Sequence, residues 1–370
     1  MLFAAVKGIP AVTPYIEDMA FLSAEMRLGD AAGAAANTDA LEPATESGET
    51  QASQETEEPQ ETETEPETEA STEPVAKSQD GTQDESAELV QVGITLENRT
   101  PAEGEKGGDI EEKKYDPSGS SYIKSGNVSV QNQAKSYTVD IDETLAQKAD
   151  LKVAKDGKPY VLIYHTHTTE SYLDGDYGWY PKSYTSRSLD ENNNMIAVGN
   201  EIVKQLEAAG YTVIHDTELY DYPSYNGAYD RTAEMIDKYM EEYPTLEVLL
   251  DIHRDAIQYD SGTKVKPTAV INNKKAAQMM IISGCEEQNV SGFPDWKYNL
   301  RFALQIQKAV EDKYPGLMRP VFFCARKYNM HKSHNSLLIE MGTDANTIDE
   351  AKYSGSLLGD ALVDVLDAHC

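Results

Sequence analysis

Three hydrophobic runs each end in residue types that bind divalent metals or move protons. Val161 to Tyr172 reads VLIYHTHTTESY, Val248 to Ala256 reads VLLDIHRDA, and Leu337 to Thr343 reads LLIEMGT. His165 and His167 are two apart, so in extended backbone they point to the same side. Glu170 follows three residues later and reaches a shared ion if the chain turns. His253 directly follows LLDI. Histidine, glutamate and histidine, with one position left to water, form the donor set of a catalytic zinc (Zn2+) site. The local HExxH arrangement of helix-borne zinc peptidases is absent. A metal hydrolase also needs a proton acceptor beside the ion. Glu340 is the candidate, because an acid that interrupts a buried strand is costly to leave without a purpose. Arg254 and Asp255 adjoin His253 and could orient it or meet substrate carboxylates; beside a strand they read equally well as a surface ion pair.

The elements that must position these groups follow from the hydrophobic pattern. Val161 to Tyr164 reads as a buried strand, Asn194 to Ala209 as an amphipathic helix stopped by Gly210, and Tyr211 to His215 as the next strand. A second amphipathic helix, Ala228 to Tyr243, ends before Pro244 and leads into a strand at Leu246 to Ile252. Strands at Pro267 to Ile271 and Met279 to Ile282, a helix at Tyr298 to Lys313, strands at Pro320 to Phe323 and Leu337 to Met341, and a helix from Thr347 to Ala368 complete the series. Folded structure is expected from Tyr122, with a strand in VSVQNQ, and with SYTVDIDETLAQ as a strand leading into a short helix. This alternation predicts an α/β fold, a mostly parallel mixed sheet with helices on both faces. In such sheets functional groups gather at the carboxyl ends of strands, where the histidines and glutamates lie. The connection Leu173 to Asn193 is long, and loops of that length are functional or unstructured; Trp179 and Tyr180 argue against full disorder.

Composition divides the chain. From Leu41 to Ser120 there are 23 acidic residues against 5 basic ones, more than half of the formal net charge of −32. A stretch such as ETEEPQETETEPETEAST cannot bury enough apolar surface to offset its conformational entropy, so residues 41–121 are expected to be a disordered, self-repelling linker. It would separate an N-terminal segment, 1–40, from one folded domain, 122–370, of about 250 residues. No early run approaches the roughly 18 to 20 apolar residues of a membrane span, yet a long acidic spacer before a folded domain suits a tethered, extracytoplasmic protein. The acidic balance argues against nucleic acid as a partner. Cys285, Cys324 and Cys370 suggest neither a disulfide framework nor a thiolate metal cluster, and no GxSxG elbow is present. The 22 tyrosines include several that sit with Asn and Gly in SYLDGDYGWYPKSYTSRS and YDYPSYNGAYDR, loops that suit a glycan or peptide strand.

YHTHTTESY, VGNEIVKQLEAAGYTVIHD, PSYNGAYDR, DIHRDA and LLIEMGTDANT, in that order, resemble the stage II sporulation protein P family, cell-wall amidases of endospore-forming bacteria. The resemblance covers Val128 to the C-terminus and implies zinc-dependent hydrolysis of the N-acetylmuramoyl-L-alanine amide of peptidoglycan, with cutting of peptide cross-links as a second activity. It implies His167, Glu170 and His253 as zinc ligands, His165 as a supporting residue and Glu340 as general base. Related amidases take the acidic ligand from the start of the helix before the Gly-Tyr-x-Val turn, which makes Glu191 the alternative to Glu170. The resemblance further implies sporulation proteins D and M as partners at the engulfing membrane and a membrane-spanning segment ahead of the acidic linker, of which 1–40 would be the remnant. A second reading keeps the fold without the chemistry, as a wall-binding or scaffold domain.

Overall fold

The computed structural model describes residues 99–117, 122–287 and 290–370. The expected segment 1–40 and most of the expected linker lie outside these residues. Strands are β1 Lys106–Lys113, β2 Ile123–Ser125, β3 Val128–Asn132, β4 Pro159–Tyr164, β5 Trp179–Pro181, β6 Thr212–His215, β7 Val248–Asp255, β8 Lys264–Ile271, β9 Lys274–Ala277, β10 Met279–Gly284, β11 Val321–Cys324 and β12 Asn335–Thr343. The α-helices are α1 Ile141–Leu145, α2 Met195–Ala208, α3 Ala228–Glu242, α4 Trp296–Lys313 and α5 Ile348–Asp367.

Eight strands form the main sheet in the order β2-β3-β11-β10-β12-β7-β4-β6. The pairings β2–β3 and β10–β12 are antiparallel and the others parallel, so the α/β expectation holds with a mixed sheet. The period-two alternation of β4 shows why both faces are covered. Val161 and Ile163 join a cluster with Met195, Val198 and Ile202 of α2 and Leu358 and Leu362 of α5. Leu162 and Tyr164 join one with Met235 and Ile236 of α3. Helix α2 starts where Asn194 accepts a hydrogen bond from Ile196 N–H, and α5 starts with a capping box between Thr347 and Glu350.

Two expectations are corrected. SYTVDIDETLAQ supplies only α1, capped by Asp140; its apolar Val139 and Ile141 are buried in the core cluster instead of alternating along a paired strand. Ordered structure also precedes Tyr122. Strand β1 belongs to a second sheet, β5-β1-β8-β9, in which β5 lies inside the long Leu173–Asn193 connection. The side chains of β1 are largely exposed, so no hydrophobic pattern announces it; backbone pairing on both sides holds it in place.

Candidate metal centre

Parallel register brings two of the candidate groups together. Strand β12 pairs with β7 so that Glu340 is the neighbour of His253, and β4 pairs with β7 from Val161 to Tyr164. At Tyr164 strand β4 ends, and the backbone turns with Glu170 N–H donating to His167 O at 3.1 Å. The chain is already turning over residues 166–169, so the two histidines do not share the side that an extended backbone would give them.

His167, Glu170 and His253 are buried, and one donor atom from each lies within 4.8 Å of the others. His167 Nδ1 stands 3.5 Å from Glu170 Oε1 and His253 Nδ1 3.5 Å from Glu170 Oε2, so one carboxylate faces both imidazoles. The two rings meet edge to face with centroids 5.0 Å apart. A His–Glu–His set whose donor atoms converge this closely could hold a metal ion, and its ligand types suit zinc.

His165 takes no part in this cluster. Its Nδ1–H donates to Ile252 O at 2.9 Å, and its Nε2 lies 3.0 Å from His215 Nε2. The pair fits beneath α2 because residue 199 is glycine: a Cβ there would fall 2.5 Å from His215 Nε2 and 2.8 Å from His165 Nε2. Burial holds both imidazoles below their ordinary pKa, His215 at about 4, so both are neutral near pH 7. Glu191 is exposed in the turn before α2 and lies outside the group of converging donors.

The neighbours of the cluster set its charge. Burial alone would push the Glu170 carboxyl up; the Arg254 guanidinium and the two histidines outweigh it and hold Glu170 well below the usual range. Arg254 N–H donates to Glu170 Oε2 at 3.2 Å, and the guanidinium binds Ser171 O and Ser186 O. Arg254 and Asp255 are therefore buried supports and not a surface pair; Asp255 is paired with buried Arg319 at 2.8 Å. Burial pushes His167 down, which leaves its imidazole neutral and able to donate a lone pair. For His253 burial acts downward as well, but Asp251 and Glu170 overcome it and raise its pKa.

Glu340 is buried, and its Oε2 has no hydrogen-bond partner among the described residues. Burial first, then the negative charge of Asp255, pushes its carboxyl well above the usual range, against the opposing pull of His253 and Arg319. A carboxyl in that state accepts a proton readily and can give it back.

Sequence reasoning missed several contributors. Asp251 Oδ1 lies 2.8 Å from His253 Nε2, an ion-pair contact off the hydrogen-bond axis, and the carboxylate is held by Thr166 N–H at 2.8 Å and Thr166 Oγ1–H at 2.6 Å. Its signal was available: an acid inside LLDI, two residues before His253 and so on the same strand face. Arg187 pairs with Asp221 and stands 3.9 Å from Glu170 Oε1, and Tyr225 stacks on His167 at 4.6 Å. No local pattern marks these, because they come from separate loops. Cys285 and Cys324 are buried free thiols, both raised by burial to about 12 and unsuited to nucleophilic roles. His334 is an exposed partner of Asp150.

The chain is 28% identical over 228 residues to stage II sporulation protein P of Bacillus subtilis (strain 168), a match that covers 58% of this chain and 53% of that protein, about half the relative's length. Among solved structures it is similar to an N-acetylmuramoyl-L-alanine amidase from Clostridium difficile 630, at 12% identity and a TM-score of 0.35, covering 58% of this chain and 97% of that one. It is similar also to the CwlD amidase from Clostridioides difficile, solved in complex with the GerS lipoprotein, at 13% identity and a TM-score of 0.38, covering 56% and 99%. The stage II sporulation protein P family matches over residues 17–363, most of the chain, and the chain belongs to that family.

Proposed function

We propose that this chain is a zinc-dependent peptidoglycan hydrolase that cleaves the N-acetylmuramoyl-L-alanine amide, and peptide cross-links as a second activity, during endospore engulfment. The observation that carries the reading is the convergence of His167, Glu170 and His253 to within 4.8 Å beside a buried carboxyl that lacks a partner, Glu340 Oε2. Zinc bound by these three residues supplies Lewis acidity and a water activated near neutral pH. Glu170 brings the negative charge, kept ionised by Arg254, and Asp251 steers the His253 ring so that Nδ1 faces Glu170. Glu340, next to His253 across the β7–β12 pair, takes the proton of the attacking water and returns it to the departing amine nitrogen.

In this reading the catalytic domain expected at 122–370 extends upstream to include β1, the acidic stretch ahead of β1 is linker, and the protein works outside the cytoplasmic membrane with sporulation proteins D and M. Among the described residues no helix is long and apolar enough to cross a membrane. Digestion of purified peptidoglycan by the full chain tests the activity. New lactyl ends and free L-alanine amino groups are expected, lost with chelator and restored by zinc. If neither end appears with zinc present, the wall-binding or scaffold reading replaces this one.

A further inference from the structure

Strand β1 lies upstream of the expected domain start, yet it is wired to the metal centre. We propose that β1 is a clamp in cis: it fixes the Leu173–Asn193 loop so that the loop's far end holds Glu170 and Arg254 in place. Strand β5 is the edge of the small sheet, and its sheet neighbour is β1. Ile110 N–H donates to Gly178 O at 3.0 Å, Lys182 N–H to Glu105 O at 2.8 Å, and Trp179 Nε1–H to Arg99 O at 2.9 Å. Lys275 Nζ ties β1 to the start of the loop, 2.6 Å from Glu112 and 2.9 Å from Asp176. The ring of Tyr180 lies over Gly107 and Gly108, where a Cβ on Gly108 would come within 2.5 Å of Tyr180 Oη.

From this anchor the loop runs back to the site. Tyr184 Oη–H donates to Asp344 O at 2.7 Å, and Ser171 N–H donates to Ser186 O at 3.1 Å. The same Ser186 O accepts from Arg254 Nη2 at 2.6 Å, and Arg187 pairs across an isolated bridge with Glu170. Without β1, strand β5 loses its sheet neighbour, and Ser186 and Arg187 are left to their contacts with Ser171, Arg254, Glu170 and Asp221. Because the side chains of β1 are largely exposed, it adds little to the core, and losing its pairing should leave the main sheet folded.

The test uses the full chain with Ile110→Pro, which removes the hydrogen bond to Gly178 O, and separately Gly108→Val, which displaces Tyr180. Three quantities are read: the thermal melt, the rate of tryptic cleavage after Lys182 and Arg187, and zinc affinity by competition with a chelator. The clamp predicts a cooperative melt in both variants, faster cleavage at both sites, and zinc affinity lower by about tenfold, the effect of losing support around a ligand. Unchanged cleavage and affinity in a folded variant overturn it. Loss of the cooperative melt also overturns it, since β1 would then be part of the core. Only the affinity arm rests on the proposed zinc site; if the parent chain binds no zinc, that function fails and the cleavage arm still decides the clamp.

Discussion

The ends of β7 and β12 and the loop Leu173–Asn193 both shape the metal centre, but their order has different origins. His253 and Glu340 sit on central strands of an eight-stranded sheet, neighbours by register, with apolar residues buried beneath them on both faces. The loop has one three-residue strand, paired to β1, and reaches Glu170 through a backbone bridge and the side chain of Arg187, and Ser171 through Tyr184. The first region places the groups to which we assign the chemistry on paired central strands of the sheet. The second places groups that adjust charge and access, on a segment whose order is borrowed from an upstream strand. On the proposed clamp, stability and precise positioning are separable, and substitutions in the two regions should fail in different ways.

Glu340→Gln is expected to have the largest effect, a fall in activity of about 10²- to 10⁴-fold with bound zinc unchanged, measured by release of amino ends and by elemental analysis. Zinc lost together with activity would move Glu340 from proton transfer to metal binding. Asp251→Asn tests whether the strand interior tunes the ligand. Zinc affinity should drop by about 10- to 100-fold while the fold persists, and an unchanged affinity would reduce Asp251 to a partner of Thr166.

Acid provides a third probe of the scaffold. His215 has a folded pKa of about 4, below its ordinary 6.5, so the unfolded chain takes up the proton first. The stability its neutral form contributes is present above pH 6.5 and is lost as pH falls from 6.5 towards 4. In full that loss is about 3 kcal/mol. Denaturant unfolding of the parent chain at pH 7 and pH 4.5 should show the decline, and His215→Asn should flatten it; an equal slope in both would exclude this pair as the source. Glu191→Gln should do least. Zinc binding and activity should stay within about twofold, the range of surface changes away from a site, whereas a large loss would return Glu191 to the ligand set.

The scaffold was legible because its signals are local. Apolar runs ending in His or Glu located β4, β7 and β12, and Asn194, Gly210 and Thr347 marked helix ends to within a residue or two. Which histidine of HTH joins the cluster was not legible from spacing, since it depends on β4 stopping at Tyr164 and on a glycine at 199 opening space for His165. Strand β1 was invisible for a related reason. KGGDIEEK has the composition of the acidic stretch around it, and only pairing with residues roughly 70 and 150 positions away makes it a strand. Support from Arg187, Asp221 and Tyr225 was hidden likewise, because each arises from a loop whose path tertiary contacts decide.

In the proposed site Glu170, not Glu191, completes the zinc ligands with His167 and His253. Elemental analysis of the purified full chain beside its Glu170→Gln variant tests it most directly. One zinc per chain in the parent and little or none in the variant is the predicted result. Zinc retained at the parent level in Glu170→Gln would contradict it.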